Sequence, residues 1–406
     1  MPGIDPGSTR FIALGPIRRG LLHDRRSKHR AGIAYALSMA SKAMLDKNCP
    51  HDDKAVRTAL RRWGFNTRER DSAPAEVEEI LRWVSRHSRP VSALSDATVT
   101  RKLMNAATTR LDGMRVAAST NRWHRVILSN ALTHAVELGL LDTNPIPSLK
   151  WKVSTPTHHV DRKSVVNPEQ ARRLLGAVEA QKPSGPLLMP FFATLYFAGL
   201  YFAGLYFAGL RPEEAVNLKE GDLTLPDTDD AWGELYLTQA APDAGKEWTG
   251  TGEQRDLRGL KHRPQGHGRP VPCPPELVAI LRNHLKEHGA GPDGLIFRGR
   301  FGGMLSTSTI KQIWAKARVE ALSTEDAASP IARRPYDLRH ACLSTWLNAG
   351  VSPKQVAEWA GNSVEVLHRT YEKCLVGHDQ IAMRRIDSAL YGEFSRSPEA
   401  GTTGSP

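Results

Sequence analysis

Arg339 and Tyr371 lie in one stretch near the end of the chain, PYDLRHACLSTWLNAGVSPKQVAEWAGNSVEVLHRTYEKCL. Arg339 opens a predicted helix that Gly350 ends from a C′ position. Ser352-Pro353 caps the next helix, AGNS breaks it, and Tyr371 lies on a third. Three short helices in succession can bring the arginine and the phenol to one pocket. Such a pair suits a phosphate, because a planar guanidinium matches two phosphate oxygens at once. Other chemistries find no support. GKEW lacks the spacing and hydroxyl of a phosphate-binding loop, and GxSxG and HExxH are absent. Asp227 to Asp230, DTDD, reads as an exposed turn rather than a cation site. Cys49, Cys273, Cys342 and Cys374 form no CxxC pair or His/Cys cluster, which argues against structural zinc and a disulfide framework and for a reducing cytoplasm. No cofactor and no metal are expected.

Taken further, the string resembles the C-terminal signature of the tyrosine recombinases, the phage-integrase family. That signature runs Arg, Lys, His-x-x-Arg, His or Trp, then Tyr. GLRPEEAVNL resembles its first motif and supplies Arg211, with Glu214 as the acidic residue that follows. LKHRPQGHGRPVPCP resembles the hairpin of the catalytic lysine and supplies Lys261. YDLRH supplies the second arginine, Arg339, and AVELGLLDTNPIPSL resembles the end of a helical core-binding domain. The resemblance spans roughly residues 50–390, in family order. It departs at two places: Tyr336 stands where the family has His in His-x-x-Arg, and Asn362 stands at the His or Trp position. Asn362 can donate a hydrogen bond to a phosphate oxygen but carries no charge, so it is expected to weaken the site without abolishing it.

The resemblance implies a phenol that attacks phosphorus to leave a 3′-phosphotyrosine, which a 5′-hydroxyl reverses without ATP. Two arginines would stabilise charge on the non-bridging oxygens, and Lys261 would protonate the leaving 5′-oxygen. Taken singly, each residue has an ordinary reading: Tyr371 as a half-buried helix phenol, Arg211 as a surface partner of Glu214, Lys261 as one solvated charge among many, with Lys246 on the same loop. Taken in order, the functional reading prevails for Arg211, Arg339 and Tyr371. Tyr336 and Asn362 either touch the phosphate or shape its pocket.

The elements that must position these groups read as an α+β, mostly α, protein. Its 406 residues allow two or three domains, and a net charge of +12 suits a polyanionic partner. Residues 1–30 form a basic arm, whose apolar stretch FIALGPI is too short for a signal peptide. Residues 31–150 are helical. DKAVRTALRRWGF opens on Asp53 as a cap, Val77, Ile80, Leu81 and Val84 share one face, and Gly139 closes the last helix. The span 151–164 is a Pro-rich linker. Residues 165–392 mix helices with strand-like DLTL, ELYLTQ and GRPVPCP, forming a small antiparallel sheet. APDAGKEWTGTGEQRDLRGLKHRPQGH is a loop or irregular hairpin, and 393–406 form a disordered tail.

Just before Arg211 the sequence writes YFAGL three times, and Leu187 to Leu210 carries no charge over 24 residues. That is long enough to span a bilayer. Pro190 and the internal glycines and tyrosines oppose a span, and one here would split the site across a membrane. Deleting two copies leaves FFATLYFAGLRPEEAVNL, so the run reads as a ten-residue tandem duplication. Ten extra helical residues would add about 15 Å and rotate the upstream part by roughly 80°, which a packed core cannot absorb. One or two copies are expected to bulge out as an apolar excursion, the copy nearest Arg211 keeping its place.

The whole implies a site-specific recombinase of the nucleoid-associated cytoplasm. It would clamp double-stranded DNA attachment sites and act as a homo-tetramer, IAMRRIDSALYGEF docking on a neighbouring subunit, with an accessory directionality factor as a further partner. The alternatives are a catalytically impaired DNA-binding protein of the same ancestry and a membrane-tethered basic protein.

Overall fold

The computed structural model describes residues 26–371, apart from 46–47, 67, 111, 152–158, 197–208, 229, 262 and 265, together with Cys374, Met383, Ile386 and Leu390. Most of the basic arm, half of the linker, the middle of the YFAGL run and the tail lie outside the described residues. The chain divides into two compact units. One comprises residues 1–157 with Pro242–Asp256, the other His158–Ala241 with Leu257 onward.

The first unit is helical: α1 Ser27–Ala43, α2 Asp53–Ala59, α3 Ala75–His87, α4 Ala97–Thr108 and α5 Ala118–Glu137. Ile33, Ala34, Leu37 and Ala40 recur at helical spacing on α1 and are buried, as are Ile80 and Val84 on α3. The N-cap of α2 is Asp52, not Asp53: its carboxylate accepts from the amides of Lys54 and Ala55, while Asp53 pairs with Lys42. Gly139, at φ 70°, closes α5 as expected. The polar stretch after ELYLTQ contributes to this core. Trp248 is buried in it, its carbonyl accepts from Arg30 Nη2 at 2.5 Å, and the Glu247 carbonyl accepts from Asn66 Nδ2 at 2.7 Å.

In the second unit α6 Pro168–Glu179 and α7 Gly185–Tyr196 precede the short α8 Pro212–Ala215. Then come β1 Leu223–Thr224, β2 Gly233–Leu237, β3 Gln239–Ala240, β4 Arg258–Gly259 and β5 Arg269–Cys273. β1, β2 and β5 make an antiparallel sheet in that order, with Leu235 opposite Val271 and Leu237 opposite Arg269, while β3 and β4 pair separately. Helices α9 Pro275–His288, α10 Thr307–Ala321, α11 Thr324–Ala328, α12 Tyr336–Asn348, α13 Pro353–Ala360 and α14 Val364–Tyr371 complete it. The result is mostly helical with small antiparallel sheets, as the sequence predicts.

The described start of the uncharged run, residues 187–196, lies on a core helix. Phe191, Phe192 and Leu195 of α7 are fully buried, and Phe192 stacks on Trp314 at 5.0 Å. No helix among the described residues is long and apolar enough to cross a membrane. α7 is described as far as Tyr196, and Gly209 and Leu210 are buried in the core, the Leu210 amide donating to the Thr194 carbonyl at 3.2 Å. Gly209, at φ 52°, sits where a Cβ would come within 2.6 Å of Cys342 Sγ. The copy nearest Arg211 thus supplies the buried Gly-Leu, whereas the expected bulge lies outside the described residues. Because Thr194 and Leu210 are hydrogen-bonded, the described residues flanking 197–208 are close. After deletion of ten residues a Phe-Ala link, reaching about 10 Å at 3.3–3.6 Å per residue, would still join them. The deletion variant is expected to keep the melting temperature and scatter less light on concentration. A drop of several degrees on deletion would show instead that the extra copies belong to the core.

Candidate active site

Three arginines from distant parts of the second unit end on consecutive carbonyls of one helix terminus. α13 begins with the Ser352 side chain accepting from the Gln355 amide and Pro353 at the first helical position. It ends on Gly361, at φ 62°. The Asn362 amide donates to the Ala357 carbonyl and the Gly361 amide to Glu358, the paired bonds of a Schellman turn. This turn aims the last carbonyls, at the negative end of the helix dipole, into the protein. Trp359 O accepts from Arg269 Nη1, Ala360 O from Arg339 Nη2 at 2.6 Å, and Gly361 O from Arg211 Nη2 at 2.7 Å. A Cβ on Gly361 would lie 3.0 Å from Arg269 Nε and 3.1 Å from Arg211 Nη1, so only glycine leaves room for both guanidiniums.

Glu214 ties two of these arginines together. Pro212 opens α8 and keeps Arg211 extended just before it. From there the Arg211 amide donates to Glu214 Oε2 at 2.9 Å and Arg211 Nη1 to Oε1 at 2.8 Å, while Arg269 Nη2 donates to Oε2 at 2.6 Å. Burial alone would raise the Glu214 carboxyl, but Arg269, Arg211 and Arg339 outweigh it and hold the group down to about 2. Burial pulls Arg269 down to about 10 against the pull of Glu214, leaving it cationic at neutral pH. One carboxylate therefore faces three guanidiniums, and the cluster carries an excess of two positive charges. Uncompensated charge of this kind is costly to bury and favours an incoming anion.

The guanidiniums differ in access. Arg211 is 12% exposed, Arg269 1%, and Arg339 0%. Arg339 Nη1 donates to the Gly209 carbonyl, and its buried Nε has no partner among the described residues. Arg211 Nη2 also donates to Asn362 Oδ1 at 2.8 Å, so Asn362 braces that arginine through its carbonyl oxygen.

The phenol of Tyr371 sits at the end of α14, 2% exposed, with its oxygen 2.8 Å from His340 Nδ1. The His340 ring in turn packs edge-on against Tyr336, with centroids 5.0 Å apart. Burial pushes the Tyr371 hydroxyl far above its ordinary value, and the Arg339 charge pulls the other way.

Of the residues singled out from sequence, the fold gathers Arg211, Arg339 and Asn362 at the α13 terminus, and Tyr336 with Tyr371 around His340. Lys261 it does not gather. It is exposed between β4 and β5, and among the described residues no hydrogen bond or ion pair joins it to the cluster. Two participants were missed. Arg269 shares the inward side of β5 with the buried Val271 and Cys273, so a period of two would have marked it as a buried charge. His340 follows Tyr336 by four residues, one helical turn on the same face.

No protein-family model matches the sequence. An integrase/recombinase of Sinorhizobium fredii (strain NBRC 101917 / NGR234), y4rC, is 28% identical over 134 residues, which is 32% of this chain and 40% of that protein. The similarity thus spans about two fifths of the relative's length. The Tn1549 transposon integrase in complex with a circular intermediate DNA superposes with a TM-score of 0.53 at 15% identity, covering 80% of this chain and 99% of that one. A second complex of that integrase, with another circular intermediate DNA, gives the same score and identity over 81% and 99%. The chain shares the fold of that transposon integrase.

Proposed function

We propose that the chain is a site-specific DNA recombinase, an integrase that cleaves and rejoins strands through a 3′-phosphotyrosine. The observation that carries this reading is the cluster of three guanidiniums on one helix terminus, positive in excess and close enough for Arg339 to act on a buried phenol. Arg211, the most accessible of the three, takes the scissile phosphate, exchanging its bonds to Gly361 and Asn362 for phosphate oxygens. Arg339 acts as a fixed charge that favours the Tyr371 phenolate. Asn362 aims Arg211, and Tyr336 shapes the pocket. Lys261, on its exposed loop, protonates the leaving 5′-oxygen. Duplex DNA attachment sites are the substrate, bound largely through phosphate contacts and so loosened by salt. A tetramer on paired sites fits the exposed Met383, Ile386 and Leu390, whose separations of three and four residues in sequence suit one face of a helix. An accessory directionality factor would select between integration and excision.

The test uses nicked duplexes selected for binding from a random-sequence library, in which loss of the downstream fragment traps the intermediate. The expected result is a covalent protein–DNA adduct absent from Tyr371→Phe. Tight binding with no adduct from the wild type would show a binder that does not cut.

A further inference from the structure

We propose that His340, rather than the residue one helical turn before it, accepts the Tyr371 proton as the phenol attacks phosphorus, and returns it when the phosphotyrosine is resolved. This rests on the recombinase reading above. Among the described residues, His340 Nδ1 is the hydrogen-bond partner of the Tyr371 oxygen, at 2.8 Å, within the reach required of a general base. The other candidates are unsuited. Tyr336 offers a phenol, a donor with no basic lone pair at neutral pH, and both Nη groups of Arg339 are committed to carbonyls. The Tyr336 ring instead fixes the imidazole by edge-on contact, 69° between planes.

The proton inventory closes without a cofactor. The proposal requires the neutral tautomer in which Nε2 carries the hydrogen and Nδ1 the lone pair. As the Tyr371 oxygen bonds to phosphorus its O–H breaks, and the hydrogen moves to Nδ1, giving imidazolium. The P–O5′ bond breaks with its electron pair on the 5′-oxygen, which takes a proton from the general acid. In the rejoining step a 5′-hydroxyl bonds to phosphorus and returns its proton to the deprotonated general acid, while the bond from phosphorus to the Tyr371 oxygen breaks with its electron pair on that oxygen, which recovers its hydrogen from Nδ1.

The surroundings suit both states. Burial lowers His340 most; Asp337 opposes it and Arg339 and Arg334 add to it, leaving the ring at about 4 and hence neutral and able to accept at pH 7. His159, Asp161, Arg333 and Arg334 line the same pocket of about 690 Å³ as His340. A phosphodiester arriving between Arg211 and Tyr371 cancels part of the positive field and raises the imidazole as the proton moves.

Three measurements on the full chain test this. First, nitrogen-15 shifts of the histidine ring without DNA are expected to show Nδ1 unprotonated; an Nδ1–H tautomer overturns the proposal. Second, His340→Gln keeps an acceptor for the Tyr371 hydrogen bond but cannot take its proton. With DNA binding retained, adduct formation is expected to fall by 10²–10⁴, the range for loss of a general base, and to gain a first-order dependence on hydroxide. Third, substituted imidazoles added to His340→Ala are expected to restore the adduct at rates that rise with their basicity. Rescue indifferent to basicity would mean that the ring only fills space, and wild-type rates in His340→Gln sink the proposal alone. A wild type that forms no adduct sinks the recombinase reading as well.

Discussion

Glu214→Gln is expected to lower the melting temperature of the second unit by roughly 10 °C, a larger loss of stability than any other single change at the site. The glutamine keeps the shape but not the charge. Glu214 is 2% exposed and receives Arg211 and Arg269 at 2.8 and 2.6 Å, with a backbone amide at 2.9 Å. Removing its charge leaves three guanidiniums close together without the carboxylate that two of them share, and breaking a buried network of this kind costs about 3–5 kcal/mol. For a unit of this size each kcal/mol moves the midpoint by about 2–4 °C. The pH dependence has a definite sign. The carboxyl titrates at about 2 in the folded state, against 4.5 when unperturbed. The unfolded chain therefore binds the proton first on acidification. The stabilisation is fully present above pH 4.5 and drains away as the pH falls toward 2. Glu214→Gln is expected to flatten that part of the stability curve. Calorimetry between pH 2 and 7 checks both points, and equal midpoints for the two proteins at pH 7 would mean that the carboxylate does not hold the arginines together.

Arg211→Lys is expected to slow adduct formation by 10²–10³ while leaving affinity for the nicked duplex within a few-fold. Lysine keeps the charge but loses the planar fork that meets two phosphate oxygens. Arg211 is also the cluster's most accessible guanidinium, so it is the one with a face to offer. Loss of one preorganised donor to a developing anion costs about 3–4 kcal/mol of barrier, whereas binding is shared over many phosphate contacts along the duplex. Single-turnover rates with filter binding at fixed salt separate the two quantities. A variant that binds tenfold more weakly yet reacts at the wild-type rate once saturated would place Arg211 in the duplex-binding surface instead.

Much of this protein is legible before folding because its signals are local. Gly139, Gly350 and Gly361 all adopt positive φ at helix ends, and Ser352-Pro353 opens α13 with the expected hydrogen bond. The three strands of the main sheet fall on DLTL, ELYLTQ and GRPVPCP, where apolar residues recur. Arg211, Arg339 and Tyr371 could be picked out by type and order. Their partners could not. Arg211 reaches Gly361 across 150 positions and Arg269 reaches Trp359 across 90. Nothing in either local stretch says which carbonyl an arginine will meet. A polar loop contributes Trp248 to the core of the helical unit for the same reason. Caps, turns and periodicity depend on neighbours a few residues away, so they are written in the order of the chain. The burial of Glu214, the choice of Arg211 as the accessible cation and the seating of Tyr371 against His340 depend on which surfaces exclude water together. Packing sets that, and packing exists only after the chain has closed on itself.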